Sequence, residues 1–214
     1  MKIATILVTR AKSCHVKTLH TILRFNLKCM QRGNTENEVV FVDDEPFEKA
    51  EIIYKYLKTH ERIFFIDFGI QVDDVSLDKV FDKHENIGCL VFPGVTEGID
   101  WGMFKEKVKN NVNEPVEQIG LHFDTSVTNK ISENIYMVKE TSAKSWVMMN
   151  KNITKNLKDK KNGAFKIYPR MSTMFKKLQE GGVKIHAYTA AKLTMTYSHE
   201  CVSNILNAAG VKAN

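Results

Sequence analysis

Asp67 is the residue whose type and position most clearly predict chemistry. It directly follows an apolar run over residues 63–66 and precedes Phe68 and Gly69. A carboxylate at the end of a buried strand costs free energy unless it is paired or ligates something. Because Mg²⁺ and Mn²⁺ prefer carboxylate and phosphate oxygens, a divalent cation is a natural partner for Asp67. A capping or turn aspartate is the alternative interpretation.

Polar residues also follow the first two apolar runs of the chain. Thr9 and Arg10 come after the first run, and Asp43 and Asp44 come after the second. In a mainly parallel sheet, ligands bind outside the carboxyl ends of the strands. The sequence therefore predicts that these four residues gather with Asp67 at one edge of a sheet. As an alternative, Asp43 or Asp44 only caps the helix that follows.

The elements that position these residues alternate regularly over the first 92 residues. Short apolar runs predict strands at residues 2–8, 39–42, 63–66 and 87–92. Helices are predicted between them: one capped by Ser13, one capped by Asp44 with Pro46 in its first turn, and a short one over residues 75–81. The first helix has apolar residues at three-to-four spacing, namely Val16, Leu19, Leu23, Leu27 and Met30. The second has a predicted inner stripe of Phe47, Ala50, Tyr54 and Leu57. Repeated strand–helix–strand units imply an α/β, Rossmann-like fold with a mainly parallel central sheet and helices on both faces.

The alternation of strands and helices becomes less regular after Pro93. Helices are predicted over residues 103–108, 142–153, 170–180 and 198–209, and a strand over residues 183–187. In the second of these helices Trp146, Met149 and Ile153 share one face. No repeat or linker divides the 214 residues, a length that suits one domain. Because the chain ends soon after Gly210, we expect a longer polypeptide with further domains.

Composition narrows the class of partner. The chain is 43% hydrophobic and 26% charged, and its net charge of +6 favours an anionic partner. The lysines are scattered among acids, and the dense run over residues 151–161 is typical of a solvated face or loop. Charge alone does not choose between nucleic acid and a phosphate-bearing small molecule, but we expect no nucleic acid among the partners. No apolar run reaches the roughly 18 residues of a membrane span. Four scattered cysteines predict reduced thiols and a cytoplasmic location.

Residues 65–77 resemble the signature segment of the GT-A nucleotide-sugar glycosyltransferases. That family places a D-x-D motif after a hydrophobic strand, followed by alternating apolar residues and a short helix. Asp67 occupies the first motif position, whereas Gly69 occupies the second. The resemblance implies that Asp67 and Gly69 lie at the donor diphosphate with Mn²⁺ or Mg²⁺. Because the second position is a glycine, either the ion uses another ligand or the dependence of the activity on metal is weak. It also implies a histidine ligand, for which His199 is the candidate and His186 the second choice, although either can be structural.

Other positions match further landmarks of this family. The resemblance implies that Thr9 and Arg10 bind the nucleotide and that Asp43 or Asp44 contacts the uridine. Sugar transfer leaves negative charge on the departing diphosphate, which a metal ion and nearby cations such as Arg10 can stabilise.

A carboxylate near the acceptor can deprotonate the acceptor hydroxyl. Asp100 and Asp124 are the candidates for this catalytic role, and Glu97 is also eligible. Trp101 can stack on a sugar or lie buried in a core. Sequence spacing does not choose among the three carboxylates.

The chain also resembles the N-terminal glycosyltransferase domains of large multidomain chlorovirus proteins that build capsid glycans. The resemblance lies in residues 1–10, 64–74 and 93–101. It implies a UDP-sugar donor, with UDP-rhamnose suggested by the family's association with rhamnose transfer, a glycan acceptor, and viral glycan synthesis in the host-cell cytoplasm. On this basis residues 1–92 are the nucleotide-sugar-binding half and residues 93–214 the acceptor-side half.

Two other functions remain open. A nucleotidyltransferase can share the sheet, the nucleotide site and the metal aspartate, although this chain lacks the glycine-rich basic loop that such enzymes usually carry after the first strand. A non-catalytic glycan- or nucleotide-sugar-binding module is the second alternative, because the second motif carboxylate is missing. Protein kinases, dinucleotide-binding dehydrogenases and P-loop proteins are excluded, since the chain has no H-R-D loop and no glycine-rich turn after the first strand.

Overall fold

The structure is a computed structural model that describes residues 1–83, 86–96, 98–114, 118–156 and 166–196. Its elements, in chain order, are β1 (Lys2–Thr9), α1 (Val16–Gln31), β2 (Glu36–Asp43), α2 (Pro46–Thr59), β3 (Arg62–Ile66), β4 (Ile70–Val72), α3 (Asp74–Lys79), β5 (Cys89–Val91), α4 (Trp101–Lys109), β6 (Thr125–Ser132), β7 (Ile135–Thr141), β8 (Ser145–Met149), α5 (Asn150–Asn156), α6 (Met171–Glu180), β9 (Ile185–Tyr188) and β10 (Leu193–Met195). Eight strands form one sheet in the order β2-β1-β3-β8-β5-β9-β7-β6, and β10 pairs with β4 in a second, small sheet.

The large sheet separates two hydrophobic cores. β1 is parallel to β2 and β3, and alternate side chains along these strands enter opposite cores. Ile6 and Phe65 pack with α2 and α6 on one face, whereas Leu7 and Phe64 pack with α1 and α3 on the other. Burial on both faces explains the continuous apolar runs of β1 and β3 in the sequence. The predicted fold class is confirmed: the chain forms a single α/β, Rossmann-like domain with helices on both faces of a mixed central sheet, in which six of the eight strands run in the same direction.

The first helix is present, but its cap and its buried face differ from the sequence pattern. His15, not Ser13, caps α1, because its side chain accepts a hydrogen bond from the Lys17 N–H at 3.2 Å. Phe25 orients the helix by packing against Phe64 and Phe81, with ring centroids 5.0 and 5.2 Å away. The buried face therefore consists of Thr18, Thr21, Ile22, Phe25 and Cys29. The apolar stripe noted in the sequence points to solvent.

The second helix begins as predicted and has a different cap. Glu45, not Asp44, caps α2 by accepting a hydrogen bond from the Glu48 N–H at 2.7 Å. The predicted inner stripe is right at Ala50 and Leu57 and wrong at Phe47, which is exposed. Asp44 is therefore available for contacts at the edge of the sheet.

The helix predicted over residues 142–153 is wrong over its first half, which forms β8. This strand lies between β3 and β5 and is antiparallel to both. All five of its residues are buried, and Trp146 stacks on Phe65 with ring centroids 4.7 Å apart. A short run buried on every side has no period that separates a strand from a helix, so Trp146, Met149 and Ile153 resembled one helical face. Because β8 is antiparallel, its amino end lies at the carboxyl edge of β3.

The rest of the second half mixes confirmed and unforeseen elements. The structure confirms the predicted helices near residues 103–108 and 170–180 as α4 and α6, and the strand near residues 183–187 as β9. The β6–β7 hairpin was not predicted, because β6 is exposed along most of its length. The predicted helix over residues 198–209 lies outside the described residues. Cys14, Cys29 and Cys89 carry free thiols. In the described ranges, no helix has the length and apolar character needed to cross a membrane.

Candidate functional site

Three segments bring charged residues together at the carboxyl edge of β3. Asp67 follows β3, and its backbone N–H donates to the carbonyl oxygen of Lys144 at 2.9 Å. Lys144 immediately precedes β8. The Asp124 carboxylate accepts hydrogen bonds from the backbone N–H groups of Lys144 and of Gly94, the latter at 3.1 Å. Lys144 thus links the two aspartates that the sequence analysis selected independently.

Asp67 is a half-buried carboxylate whose charge the protein balances incompletely. Burial raises its pKa above the ordinary value, and the negative charge of Asp44 adds to the rise. The Phe68 N–H, which donates to Oδ1 at 2.9 Å, and the positive charges of Lys49 and Lys144 oppose this rise without cancelling it. A bound cation would stabilise the ionised form of such a group.

Asp124 is more deeply buried, with 9% of its surface exposed. Burial raises its pKa, and hydrogen bonds from Gly94, Thr125 and Lys144 offset only part of the rise. The Thr125 hydroxyl donates to Oδ1 at 2.8 Å. A Cβ atom at position 94 would lie 3.1 Å from Oδ2, so the glycine gives the carboxylate its close approach to the backbone. A buried carboxylate with a raised pKa is suited to exchange a proton.

The predicted residues after β1 and β2 pair with one another. The register of β1 and β2 places Thr9 opposite Asp43, and the Thr9 hydroxyl donates to Asp43 Oδ1 at 2.8 Å. Arg10 Nε donates to Asp44 Oδ2 at 2.9 Å, and Lys49 Nζ donates to Asp44 Oδ1 at 2.6 Å. Burial disfavours the charge of Asp44, but Lys49 and Arg10 outweigh it and lower the pKa of that carboxyl. The predicted cluster therefore exists, and Lys49 links it electrostatically to Asp67.

An open cleft of about 700 Å³ begins at Thr9 and Asp43. Its walls include Phe41, which is 58% exposed, together with Ile52 and Lys12. The cleft offers an exposed aromatic face together with Lys12 and three carboxylates, those of Asp43, Glu48 and Glu51. An aromatic face and carboxylate acceptors can hold a heterocyclic base and a ribose.

Gly69 occupies a tight turn between β3 and β4, with φ at +74°. Its carbonyl oxygen accepts a hydrogen bond from the Thr196 N–H at 2.9 Å, just after β10. A Cβ atom at position 69 would lie 2.9 Å from the carbonyl oxygen of Thr196. The backbone of the small sheet thus occupies the space that a carboxylate at the second motif position would need.

Asp67 fits a metal ion only if a bound ligand completes the coordination. Within the described ranges, no group of three or more His, Cys, Asp or Glu side chains could hold a metal ion. Mg²⁺ is commonly bound through one or two carboxylates together with substrate phosphates and water. The incompletely balanced charge of Asp67 suits an ion shared with a diphosphate. The predicted ligand His199 lies outside the described residues.

Comparisons with known proteins bear on the fold. The sequence matches no protein-family model and no curated protein. The solved structure of protein A197 from STIV is similar over 92% of this chain and 87% of its own, with a TM-score of 0.54 and 10% identity. This likeness shows the fold alone.

Two other solved structures are similar at lower TM-scores. A Drosophila β-1,4-galactosyltransferase 7 mutant in complex with manganese, UDP-Gal and xylobiose is similar over 94% of this chain and 73% of its own, with a TM-score of 0.48 and 10% identity. The inositol-1-phosphate CTP transferase from T. maritima is similar over 98% of each chain, with a TM-score of 0.43 and 12% identity. These two likenesses are too distant to carry an argument.

The remaining predicted residues do not join this cluster in the described contacts. Asp100 caps α4 by accepting a hydrogen bond from the Met103 N–H at 2.8 Å, and its Oδ2 lies 3.1 Å from His122 Nε2. The bond from Met103, followed by that from His122, lowers the pKa of Asp100. His186 is buried within β9, three strands from β3 in the sheet order. Glu97 lies outside the described residues.

Lys49 and Lys144 are the site residues that sequence reasoning missed. Lys49 has a weak signal, because it lies in the first turns of a helix predicted to begin beside Asp44. Lys144 has no such signal, because residues 142–153, which include it, were interpreted as a helix. Only the antiparallel insertion of β8 brings Lys144 to the edge where Asp67 lies.

Proposed function

We propose that this chain is a glycosyltransferase that moves a sugar from a UDP-sugar to a glycan acceptor. The observation that supports this proposal is the shared edge of the sheet. There Asp67 lies in the electrostatic reach of Lys49, Lys144 and Asp44, and a cleft begins at Thr9 and Asp43, at the ends of the strands β1 and β2. A nucleotide sugar needs a pocket for the nucleoside and a charged place for the diphosphate. In this proposal both are outside the carboxyl ends of parallel strands, where open α/β sheets bind ligands.

In this proposal the cleft holds the nucleoside. Phe41 offers its exposed face to the base, and Asp43 accepts a hydrogen bond from the base or the ribose. The Thr9 hydroxyl fixes the Asp43 carboxylate through their 2.8 Å contact. Arg10, held by Asp44, adds a positive charge next to Thr9 in the chain.

The donor diphosphate lies at Asp67 in this proposal. Asp67 would hold Mn²⁺ or Mg²⁺ together with diphosphate oxygens, and His199 is the further ligand that the family resemblance suggests. When bound, such an ion supplies Lewis-acid stabilisation of the charge that develops on the leaving diphosphate. Lys49 and Lys144 add positive charge in the same region, since both lower the pKa of Asp67.

Asp124 is the better of the two candidate bases. The acceptor hydroxyl forms the new bond to the sugar carbon as the bond to the diphosphate breaks, and its proton passes to a base. The pKa of Asp124 is raised by burial, and Asp124 contacts the lysine that neighbours Asp67. Asp100 is less suited, because its pKa is lowered, chiefly by the hydrogen bond from the Met103 N–H.

Finer features of the proposal rest on the family resemblance. They are rhamnose as the transferred sugar, a viral capsid glycan as the acceptor, the host-cell cytoplasm as the location, and further domains that follow this chain. The division into a donor half (residues 1–92) and an acceptor half (residues 93–214) also belongs to the proposal.

The proposal is tested by measuring UDP or GDP release from a panel of UDP- and GDP-sugars, with and without Mn²⁺. We expect slow UDP release from one UDP-sugar in the presence of Mn²⁺, because water can replace the acceptor hydroxyl. Asp67→Asn should lower this rate by roughly 100-fold, the scale of losing a group that stabilises transition-state charge. The matched control is Asp82→Asn, since the Asp82 carboxylate makes a surface pair with Lys79.

Two outcomes would support the alternatives instead. Pyrophosphate formation from UTP and a sugar 1-phosphate would identify a nucleotidyltransferase. Binding of a UDP-sugar without any turnover, with or without oligosaccharide acceptors, would identify a binding module.

A further inference from the structure

The outward face of α1 carries five apolar side chains that are largely exposed. We name these residues the α1 stripe: Val16 (70% exposed), Leu19 (42%), Leu23 (59%), Leu27 (55%) and Met30 (77%). Their three-to-four spacing places them along one face of the helix. Single exposed apolar residues are common on protein surfaces, but five in a row on one helix form a continuous ridge.

The opposite face of α1 already packs into the core. Ile22, Phe25 and Cys29 are buried there, and the Thr21 hydroxyl accepts a hydrogen bond from the Val72 N–H at 3.1 Å. The helix is therefore apolar on both sides, which is typical of helices covered on both sides. Nothing in the folding of the described chain needs the α1 stripe to be apolar, so its composition points to an external contact.

Charge around the α1 stripe favours an anionic partner. α1 contains Lys17, Arg24 and Lys28 and no acidic residue. Arg24 pairs with Asp74, and Lys28 pairs with Asp78. Arg32 after the helix also pairs with Asp78, so four cations at α1 face two carboxylates of α3. The excess has the same sign as the net charge of the whole chain, +6.

The shape and size of the ridge favour a lipid surface over a second protein. A stable protein interface usually takes about 20–30 residues from each side. A second copy of this chain would also bring two positive helices together. The interface of a bilayer accepts a single helix face with apolar residues in its centre and basic residues beside them, and anionic lipids attract those basic residues. We propose that α1 docks this protein on an anionic membrane surface, with the α1 stripe entering the interfacial region.

The test is co-sedimentation of the full chain with phosphatidylcholine vesicles that contain or lack phosphatidylserine. We expect binding to the vesicles with phosphatidylserine, and weaker binding to the neutral ones and at higher NaCl concentration, because salt screens the attraction. The triple variant Leu19→Ser, Leu23→Ser, Leu27→Ser should bind at least about tenfold more weakly, because three leucines no longer leave water. Its affinity for UDP should not change, which separates this proposal from the proposed catalytic function.

The matched control is a triple serine variant of exposed apolar residues elsewhere, namely Val108, Val127 and Ile131. It should bind vesicles as the unmodified protein does. Absence of binding to phosphatidylserine vesicles, or equal loss in both triple variants, would overturn the proposal. The proposal would also be overturned if the unmodified protein did not bind vesicles but formed a concentration-dependent dimer that the stripe variant abolishes. A second copy of the chain would then cover the ridge. Vesicle binding that appears only after residues 197–214 are deleted would assign the ridge to that segment and also overturn the proposal.

Discussion

Asp67 illustrates, at the scale of one residue, how the proposed binding site would cost stability. Burial raises the pKa of this carboxyl, so its ionised form is less favourable in the folded protein than in the unfolded chain. For an acid with a raised folded-state pKa, this cost is absent below the unfolded-state pKa of about 3.9 and is fully present above the folded-state pKa. A ligand-free protein should therefore be destabilised by Asp67 at neutral pH.

We predict that Asp67→Asn stabilises the ligand-free protein at pH 7 by about 1 kcal/mol, as removal of a functional charge often does. The asparagine oxygen can still accept the hydrogen bond from the Phe68 N–H. Urea unfolding in the presence of EDTA measures the difference, which should shrink as the pH falls towards 4. Equal or lower stability of the variant at pH 7 would mean that the charge of Asp67 is already well balanced.

Lys144 acts on two carboxylates at once. Its positive charge lowers the pKa of both Asp67 and Asp124. Lys144→Met should therefore raise both pKa values and move the acidic limb of UDP binding in the presence of Mn²⁺ to higher pH by about one unit, the scale of a lost neighbouring charge. Lys144→Arg keeps the charge and serves as the control. Calorimetric titrations between pH 5 and 8 would show the shift, and identical profiles for the Met and Arg variants would exclude the electrostatic role.

The sequence predicted the acidic half of this site better than its basic half. Asp67 and Asp43 follow apolar runs, of which only that before Asp67 is fully buried, and the geometry of parallel strands brings such positions to one edge. Lys144 was not predictable, because its position depends on a strand that enters the sheet against the direction of its neighbours. A lysine also has no signal of its own on a surface with many others.

At the scale of elements, the turn between β3 and β4 is fixed by Gly69. The residue needs a positive φ and also packs against the backbone of Thr196. Gly33 offers a matched comparison, since its φ is also positive, at +65°, but a Cβ atom there would meet nothing within 4 Å.

We predict that Gly33→Ala costs about 1 kcal/mol, the cost of placing a side chain in the left-handed region. Gly69→Ala should cost about 1–3 kcal/mol more, because the β4–β10 pair must also shift to avoid the new atom. Thermal and urea unfolding of both variants would measure the two costs. Equal costs would show that the contact with Thr196 does not constrain the turn.

Elements were predicted well where one face is buried, or where a fully buried run continues the strand–helix alternation of the first half. α2 and α6 each have one buried face, and β1 is a fully buried run that begins this alternation. β8 is buried throughout, and its residues were therefore interpreted as part of a helix. β6 is exposed along most of its length and left no apolar pattern to recognise. The outer face of α1 is apolar without being buried, which no rule based on the core alone predicts.

At the scale of the whole molecule, one sheet serves both hydrophobic cores. Its strands send alternate side chains to opposite faces, so Phe64 and Phe65 belong to different cores although they are neighbours in β3. Loss of either core removes one face of the same strands. The two cores should therefore unfold together as one cooperative unit, as is typical of single domains.

We predict that Phe25→Ala and Phe175→Ala, which remove aromatic rings from opposite cores, each lower the stability by about 3–5 kcal/mol. Trp146 provides the readout, because it is fully buried in the core that contains Phe175, whereas the second tryptophan of the chain, Trp101, is exposed. If the sheet couples the two cores, Phe25→Ala must move the unfolding transition of Trp146 fluorescence as far as that of far-ultraviolet circular dichroism. The exposed Phe47 is the control, and Phe47→Ala should change the transition little. A fluorescence transition that stays in place in Phe25→Ala, while the circular dichroism splits into two steps, would show two units that unfold independently on either side of one sheet.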